Sequence, residues 1–340
     1  MTVRNRVLVL VASVLFLAAV AVASVVHASA RADRRDRTQA DGPKVTSGQV
    51  TLDAPGEMVF RNMAWGPHRD ELTTVPASDP SGPRTASGVK CLRFYAGSGT
   101  GVCLQAVHGT LTDTYRAEIL DAHLKVRARY DVPGIPSRAR VSPSGRYAAW
   151  TAFVGGDSYA GTNFSTRAAI VDTRTGRLTP SLESYRILKD GHTYHAADVN
   201  FWGVTFAPDD RTFYATLATK GQTYLVRGDL RAHTVTTVHT NVECPSLSPD
   251  GTRIAFKKRV KGLPKDAPWH LYVLNLRTMR ETPLAEPRSV DDQVVWHGDH
   301  TVVYALAGDY GADLYQVPAD GTGVARRIST AAVSPAYVGR

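Results

Sequence analysis

Cysteine is scarce, with three in 340 residues, and none lies near the end of the N-terminal apolar run. That excludes a lipid-modified cysteine there. Beyond residue 30 long helical periodicity is absent, which turns the reading toward an all-β domain of many short strands. A basic helix and a basic patch interleaved with aromatics are both missing, so the formal charge of +9 leaves no nucleic-acid footprint. Part of that charge sits in the leader. Six Arg and two Asp precede residue 38, and the remainder is mildly basic at a net +5.

What the chain does have is punctuation, 28 Gly and 19 Pro, and a sentence that recurs. Residues 243–258 read E-C-P-S-L-S-P-D-G-T-R-I-A-F-K-K. Ser246-Leu247-Ser248 is extended. Pro249-Asp250-Gly251 then supplies a turn: Pro fixes φ, Asp bonds its own backbone and Gly takes φ > 0. From Arg253 the residues alternate apolar and charged, as in a half-buried strand. Counted from the turn proline, offsets +5 and +7 carry Ala148 and Trp150 after Pro143, Phe213 and Ala215 after Pro208, and Ile254 and Phe256 after Pro249. In a fourth copy Gly298 replaces the proline, with Val303 and Ala305 at the same offsets. A second apolar sentence follows each copy, at residues 169–172, 224–226, 271–276 and 314–317. The step from Pro208 to Pro249 matches a four-strand propeller blade. The longer step from Pro143 to Pro208 requires inserted loops.

Arg4 and Arg6 precede an uncharged apolar run, residues 7–26, long enough to cross a bilayer. Ala28-Ser29-Ala30 also fits a small-residue cleavage site. Residues 1–30 are therefore a signal peptide or a membrane anchor, and both readings stand. Residues 31–46 read as a flexible charged linker, and the propeller occupies 47–340. Blades are expected to begin near residues 50, 88, 137, 199, 243 and 291. Residues 72–77 match 314–319 and should be the third strand of their blade. Residues 333–337 look like an inner strand whose hairpin partner is missing at the C-terminus. The economical solution closes the ring by placing that strand beside residues 58–63, which removes free sheet edges.

Cys91 and Cys103 flank Ala96-Gly97-Ser98-Gly99. A hairpin centred on Gly97 would set them opposite each other at disulfide distance, and an oxidising compartment implied by the leader would let the bond form. Cys244 reads as a small buried residue beside Pro245.

On the segment Ser248-Pro249-Asp250-Gly251-Thr252-Arg253-Ile254-Ala255-Phe256 the chain resembles the TolB-like six-bladed propellers. Residues 200–206 (N-F-W-G-V-T-F), 213–217 (F-Y-A-T-L) and 290–293 (V-D-D-Q) are similar to the signal-bearing actinobacterial TolB-like translocation proteins. The resemblance covers about residues 50–340 and implies the fold far more than a function. It brings no catalytic residues with it. The copies at Pro143, Pro208 and Gly298 depart from S-P-D-G, which retypes turns and leaves the fold intact.

The segments entering the innermost strands offer Arg138, Arg140, Asn200, Trp202, Glu243, Asp291, Asp292 and Gln293. Charges converging on one funnel suggest a polar ligand site with Trp202 as a stacking surface; the same residues could instead hold channel water and tie blades together. His192, His195 and Asp198 are weak metal candidates, in a loop with no second cluster to complete the ligand set. Gly156-Asp157-Ser158-Tyr159-Ala160 approaches a nucleophile elbow but has Ala for the last Gly and lies in a blade insertion. Six blades also leave no room for a hydrolase domain. The basic run Lys257, Lys258, Arg259 and Lys261, with Lys265, could meet anionic envelope polymer or lipid.

The expectation is a monomeric, extracytoplasmic, non-enzymatic binding or scaffolding propeller with no cofactor. It engages a protein partner or envelope ligand through the channel face, and reaches the membrane through its leader if that is uncleaved. The competing class is a propeller hydrolase or lyase acting on a sugar or lactone with Glu243, Asp291 and Asp292 as acid and base.

Overall fold

The computed structural model describes residues 2–36, 41–110, 112–156 and 164–339. Six antiparallel sheets of four or more strands form the blades. Blade two runs through Arg93–Gly97, Thr100–Val107, Thr114–Leu120 and Val126–Val132. Blade three is Ile135–Val141, Tyr147–Gly155, Ser165–Asp172 and Leu178–Thr179. Blade four is Asn200–Phe206, Thr212–Thr219, Gln222–Asp229 and Thr234–Thr240. Blade five is Glu243–Leu247, Arg253–Arg259, Trp269–Asn275 and Glu281–Pro283, and blade six is Val295–His297, Thr301–Gly308, Gly311–Pro318 and Arg326–Ser329.

Blade one is assembled from both ends of the chain. Its innermost strand is Ala332–Val338, followed by Glu57–Asn62, Glu71–Pro76 and Arg84–Lys90. Met58 lies opposite Tyr337 in that closing pair, and Asn62 opposite Ala332. The ring therefore has no open seam, as the sequence implies, and Glu71–Pro76 is the third strand of its blade.

The repeat offsets explain the core. Ala148, Phe213, Ala215, Ile254, Phe256 and Val303 are fully buried, because alternation turns them into the wedge between blades. Phe213 and Ala215 meet Ala149, Ile170 and Phe206 there; Val302 and Tyr304 meet Val273 and Leu284. The step between Pro143 and Pro208 holds two insertions. One is the connection after Tyr147–Gly155, which contains Asp157, Ser158, Tyr159 and Ala160 of the elbow-like motif; these four lie outside the described residues. The other is a hairpin, Arg186–Lys189 with His192–Tyr194, that extends the outer edge of blade four in parallel.

Three expectations need correction. The helix spans Val3–Asp36, so the charged residues 31–36 continue it rather than beginning a linker. The linker's end is also ordered: Val45–Ser47 adds a parallel strand to Arg84–Lys90. Cys91 and Cys103 are bonded, with Cα atoms 5.4 Å apart, but not as directly opposed residues of a hairpin. The turn is centred one residue later, on Ser98 and Gly99, both with φ > 0, the requirement of a tight type I′ connection. Cys103 consequently faces Phe94, and Cys91 lies before the strand, so the bond ties the exit from blade one to the second strand of blade two.

The apolar part of the helix, Val3–Ala30, has a mean hydropathy of 2.8, is none of it buried, and is long enough to cross a membrane. Leu8, Leu15 and Phe16 are each more than half exposed.

Candidate functional site

The innermost strands surround a central channel. At its entry end, where these strands begin, the sequence-selected charges are tied to one another. Arg138 on blade three reaches across to blade six and donates from Nη2 to Asp291 Oδ1 at 3.1 Å. Arg140 does the same one layer deeper, donating to the carbonyls of Gln293 at 3.1 Å and Val294 at 2.5 Å. Gln293 in turn donates its amide to Val204 O (3.0 Å) and Pro245 O (2.8 Å), joining blades four, five and six.

Lys257, on the second strand of blade five, is fully buried and sits 2.5 Å from Asp291 Oδ1 and 3.8 Å from Glu243 Oε2. Its Nζ lies 3.8 Å from the centre of the Trp269 ring. Glu243, also fully buried, accepts from Arg259 Nε at 2.7 Å and from Trp269 Nε1 at 3.1 Å. Asp292 accepts the backbone N–H groups of Gln293 and Ala305, both at 2.9 Å. Desolvation works against the Asp291 charge, but Lys257 and Arg138 outweigh it and hold the carboxyl below its usual range. Burial depresses the Arg140 guanidinium, opposed by Tyr95 and Asp292. A recess of only about 20 Å³ remains among Arg93, Arg138, Arg140 and Gln293, room for about one water. Gln293 Oε1, without a partner among the described residues, faces that requirement.

Two of the sequence-selected residues do not face the channel as a ligand would need. Trp202 is 1 % exposed and packs edge-on against Phe164 at 5.3 Å, in a cluster with Cys244 and Trp269; it is no stacking surface. Asn200 is buried and accepts from Thr166 N (2.9 Å) and Thr166 Oγ1 (2.6 Å), joining blades three and four. Three members of the basic run are occupied, Lys257 as above, Lys258 on Glu281 and Arg259 on Glu243, while Lys261 and Lys265 are exposed. His192 and His195 are exposed, and Asp198 accepts from Thr219 Oγ1 at 2.8 Å and from Lys220 N. Among the described residues no three His, Cys, Asp or Glu side chains gather as a metal site. Cys244 is buried as expected, and burial pushes its thiol up.

The open space lies at the other end of the channel, where the innermost strands finish. A cavity of about 250 Å³ is lined by all six blades. Tyr95, Phe206, Trp296 and Tyr337 form much of its wall, with Pro143, Pro208 and Pro249 at the rim. Arg140 stacks its guanidinium 4.4 Å from the Tyr95 ring at the floor. Trp296 is fixed by donating Nε1 to Ser246 O at 2.9 Å, and Tyr337 stacks on His297 at 4.2 Å. Sequence reasoning missed this wall although a signal exists. Val141, Phe206, Leu247, Trp296 and Tyr337 each stand two residues before the turn Pro or Gly of their blade, the last apolar offset before the strand ends. A larger recess of about 660 Å³, between residues 183–187 and 193–199, is an open groove beside the blade-four insertion.

No protein-family model matches this sequence, and no curated protein does. Among solved structures the chain is similar to TolB from Acinetobacter baumannii, at 18% identity and a TM-score of 0.53, over 83% of this chain and 66% of that one. It is also similar to a chain of a nidogen/laminin complex, at 9% identity and a TM-score of 0.53, over 84% and 99%. The chain thus spans just under two thirds of the TolB it matches. What these likenesses show is a TolB-like six-bladed propeller fold, and the fold alone.

Proposed function

We propose that this chain is an extracytoplasmic binding propeller that holds a protein partner by an apolar or aromatic segment inserted into the exit-end cavity. The observation that carries the reading is the division of the channel. Its entry end is filled by mutually neutralised charges, and its exit end is an aromatic-walled space open to solvent. A cavity walled by four aromatic side chains, with Arg140 and a ring of Ser and Thr between them, suits a segment that buries apolar area and takes up a few hydrogen bonds. The competing enzyme reading needs Glu243, Asp291 and Asp292 unpaired beside a cavity; each instead has cationic or backbone donors within hydrogen-bond or ion-pair distance. The paired cysteines and the apolar leader support an oxidising compartment outside the cytoplasm. We further propose residues 1–36 as membrane anchor, residues 47–340 as a monomeric propeller, and membership of the signal-bearing actinobacterial subgroup.

The test is peptide selection on the immobilised full chain, followed by the variant Pro208→Trp, which sets an indole at the cavity mouth from an exposed rim position. Selected peptides should lose at least tenfold in affinity for that variant while its thermal midpoint stays near that of the parent. Peptides that bind both proteins equally, or binding abolished by Asp291→Asn alone, would place recognition elsewhere.

A further inference from the structure

The strand Val45–Ser47 fixes where the leader meets the propeller. It runs parallel to Arg84–Lys90, with Val45 level with Arg84, and Lys44 O accepts from Arg84 N at 2.8 Å. Arg84 opens the fourth strand of blade one, after the loop that follows Pro76, so it stands at the exit end of the fold. Eight residues, 37–44, separate the helix from this point, a reach of at most about 29 Å. A propeller anchored by that helix therefore hangs from its exit side on a short tether.

That side carries its own apolar tips. Outside the helix, five large hydrophobic side chains are exposed among the described residues: Val107, Ile135, Val154, Met279 and Val324. The first three lie at the entry end. Met279 (41 % exposed) and Val324 (63 % exposed) lie at the exit end, in the turns between third and fourth strands of blades five and six. The blade-six turn lies against the fourth strand of blade five, just past the turn that carries Met279: a Cβ on Gly321 would come within 2.7 Å of Pro283 O and 2.9 Å of Thr282 Cγ2. Around these tips stand Arg277, Arg280, Arg326 and Arg327, all exposed. Arg327 reaches Asp313 at 3.3 Å; the other three have no ion pair among the described residues. The single acid in the two turns, Asp320, accepts from Thr322 N and Thr322 Oγ1 and is held ionised by those bonds.

We infer that this rim of blades five and six is a membrane-contact surface for anionic lipid, resting the outer edge of those two blades on the bilayer that its helix crosses and leaving the cavity at the channel exit uncovered. Arginines supply attraction to the headgroups, about fivefold in partitioning for each, and Met279 and Val324 enter the interface as apolar tips. The occupant is a lipid surface because the tether holds the rim near one, and because the three guanidinium groups of Arg277, Arg280 and Arg326 around two exposed hydrophobic tips match a negatively charged interface. The inference rests on the anchor reading above.

The test uses the full chain reconstituted in vesicles of phosphatidylcholine with or without phosphatidylglycerol, carrying a fluorophore at Val324→Cys or at Val154→Cys. Cys244 is buried and the other cysteines are bonded, so the introduced thiol takes the label. Lipid-borne quencher should reach the label at 324 in phosphatidylglycerol vesicles, less so in phosphatidylcholine or high salt, and not the label at 154. Changing Arg277, Arg280 and Arg326 together to Glu should abolish quenching at 324. Quenching at 154 instead, equal quenching at both, none at either, or indifference to the charge reversal would overturn the surface while leaving the anchor in place. A chain that fails to float with the vesicles would overturn the anchor and the surface together.

Discussion

Removing the Arg84 guanidinium should loosen the closure of the ring. Arg84 is 2 % exposed and leaves the fourth strand of blade one toward the connection that delivers the closing strand. Its Nη1 donates to Asn62 Oδ1 at 2.5 Å and to Ala331 O at 3.0 Å. Its Nη2 donates to Ser329 Oγ at 3.1 Å and to Thr330 O. The side chain also lies 4.9 Å from the centre of the Phe60 ring. Burial pulls its pKa down to about 10, with Asp313 opposing, so the group remains charged at neutral pH.

Arg84→Met keeps an unbranched apolar side chain in the slot and deletes the donors, the charge and the guanidinium's contact with the Phe60 ring. Each charged hydrogen bond is worth about 1.5–3 kcal/mol, but relief of desolvation offsets part of the sum. Leaving the buried acceptors without a donor costs about 1–3 kcal/mol each, and after that relief a net loss of about 3–5 kcal/mol is expected. For a domain this large, that is a fall of roughly 6–10 °C in thermal midpoint. Asn62→Ala removes the partner of Nη1, and the double variant should show a coupling of about 0.5–3 kcal/mol. Circular dichroism with guanidinium titration at neutral pH measures all three. A loss below about 1 kcal/mol, the scale of an exposed pair, would refute the claim that Arg84 secures the closure.

Three further outcomes are expected. Gly203 has φ +66° and its added Cβ would lie 2.7 Å from the Cys244 Cα, so Gly203→Ala should cost more than about 2 kcal/mol; Gly191→Ala, with positive φ but open space, should cost only about 1–2 kcal/mol in the same titration. Acid should destabilise late, because the turn carboxylates titrate low. Asp229 is held down to about 2 by Arg211 and backbone N–H groups, and Asp250 to about 2 by Ser248 and Thr252 against the cost of its burial. Their folded pKa values lie below the unfolded value near 3.9, so their stabilisation is complete above that value and falls as pH drops toward about 2; a denaturant midpoint already lost at about pH 5 would contradict this. Cys91→Ser with Cys103→Ser should cost at most about 3 kcal/mol, and the parent chain's intact mass should rise by two hydrogens on reduction.

The fold was legible because a propeller repeats its physics. Ala148, Phe213 and Ile254 hold one offset from a turn proline, and each blade must bury that offset against its neighbour. Closure was legible from a lone half-hairpin at residues 333–337. What misled were features that depend on one residue of register. The spacing of Cys91 and Cys103 centres a hairpin on Gly97, whereas the two positive-φ positions fall at Ser98-Gly99. By polarity the leader's charged end reads as a linker, but polarity alone does not stop a helix: residues 31–36 contain no Gly or Pro to break it.

The site was legible only in its ingredients. Arg138 and Asp291 stand 153 residues apart, and nothing local in either segment says that blades three and six face each other across the axis. Charge on a funnel segment carries two opposite meanings, a group offered to a ligand or a group answered by the far wall, and only the geometry of the channel separates them. Here Asp291 is answered twice, by Arg138 and by Lys257, and Glu243 by Arg259 and Trp269. Long cationic side chains crossing the axis fill the entry half. The shorter residues Thr205 and Ser246 at the exit half leave a void that aromatic residues can only border. On the reading proposed above, a ligand for this propeller is to be sought by its apolar surface rather than by its charge.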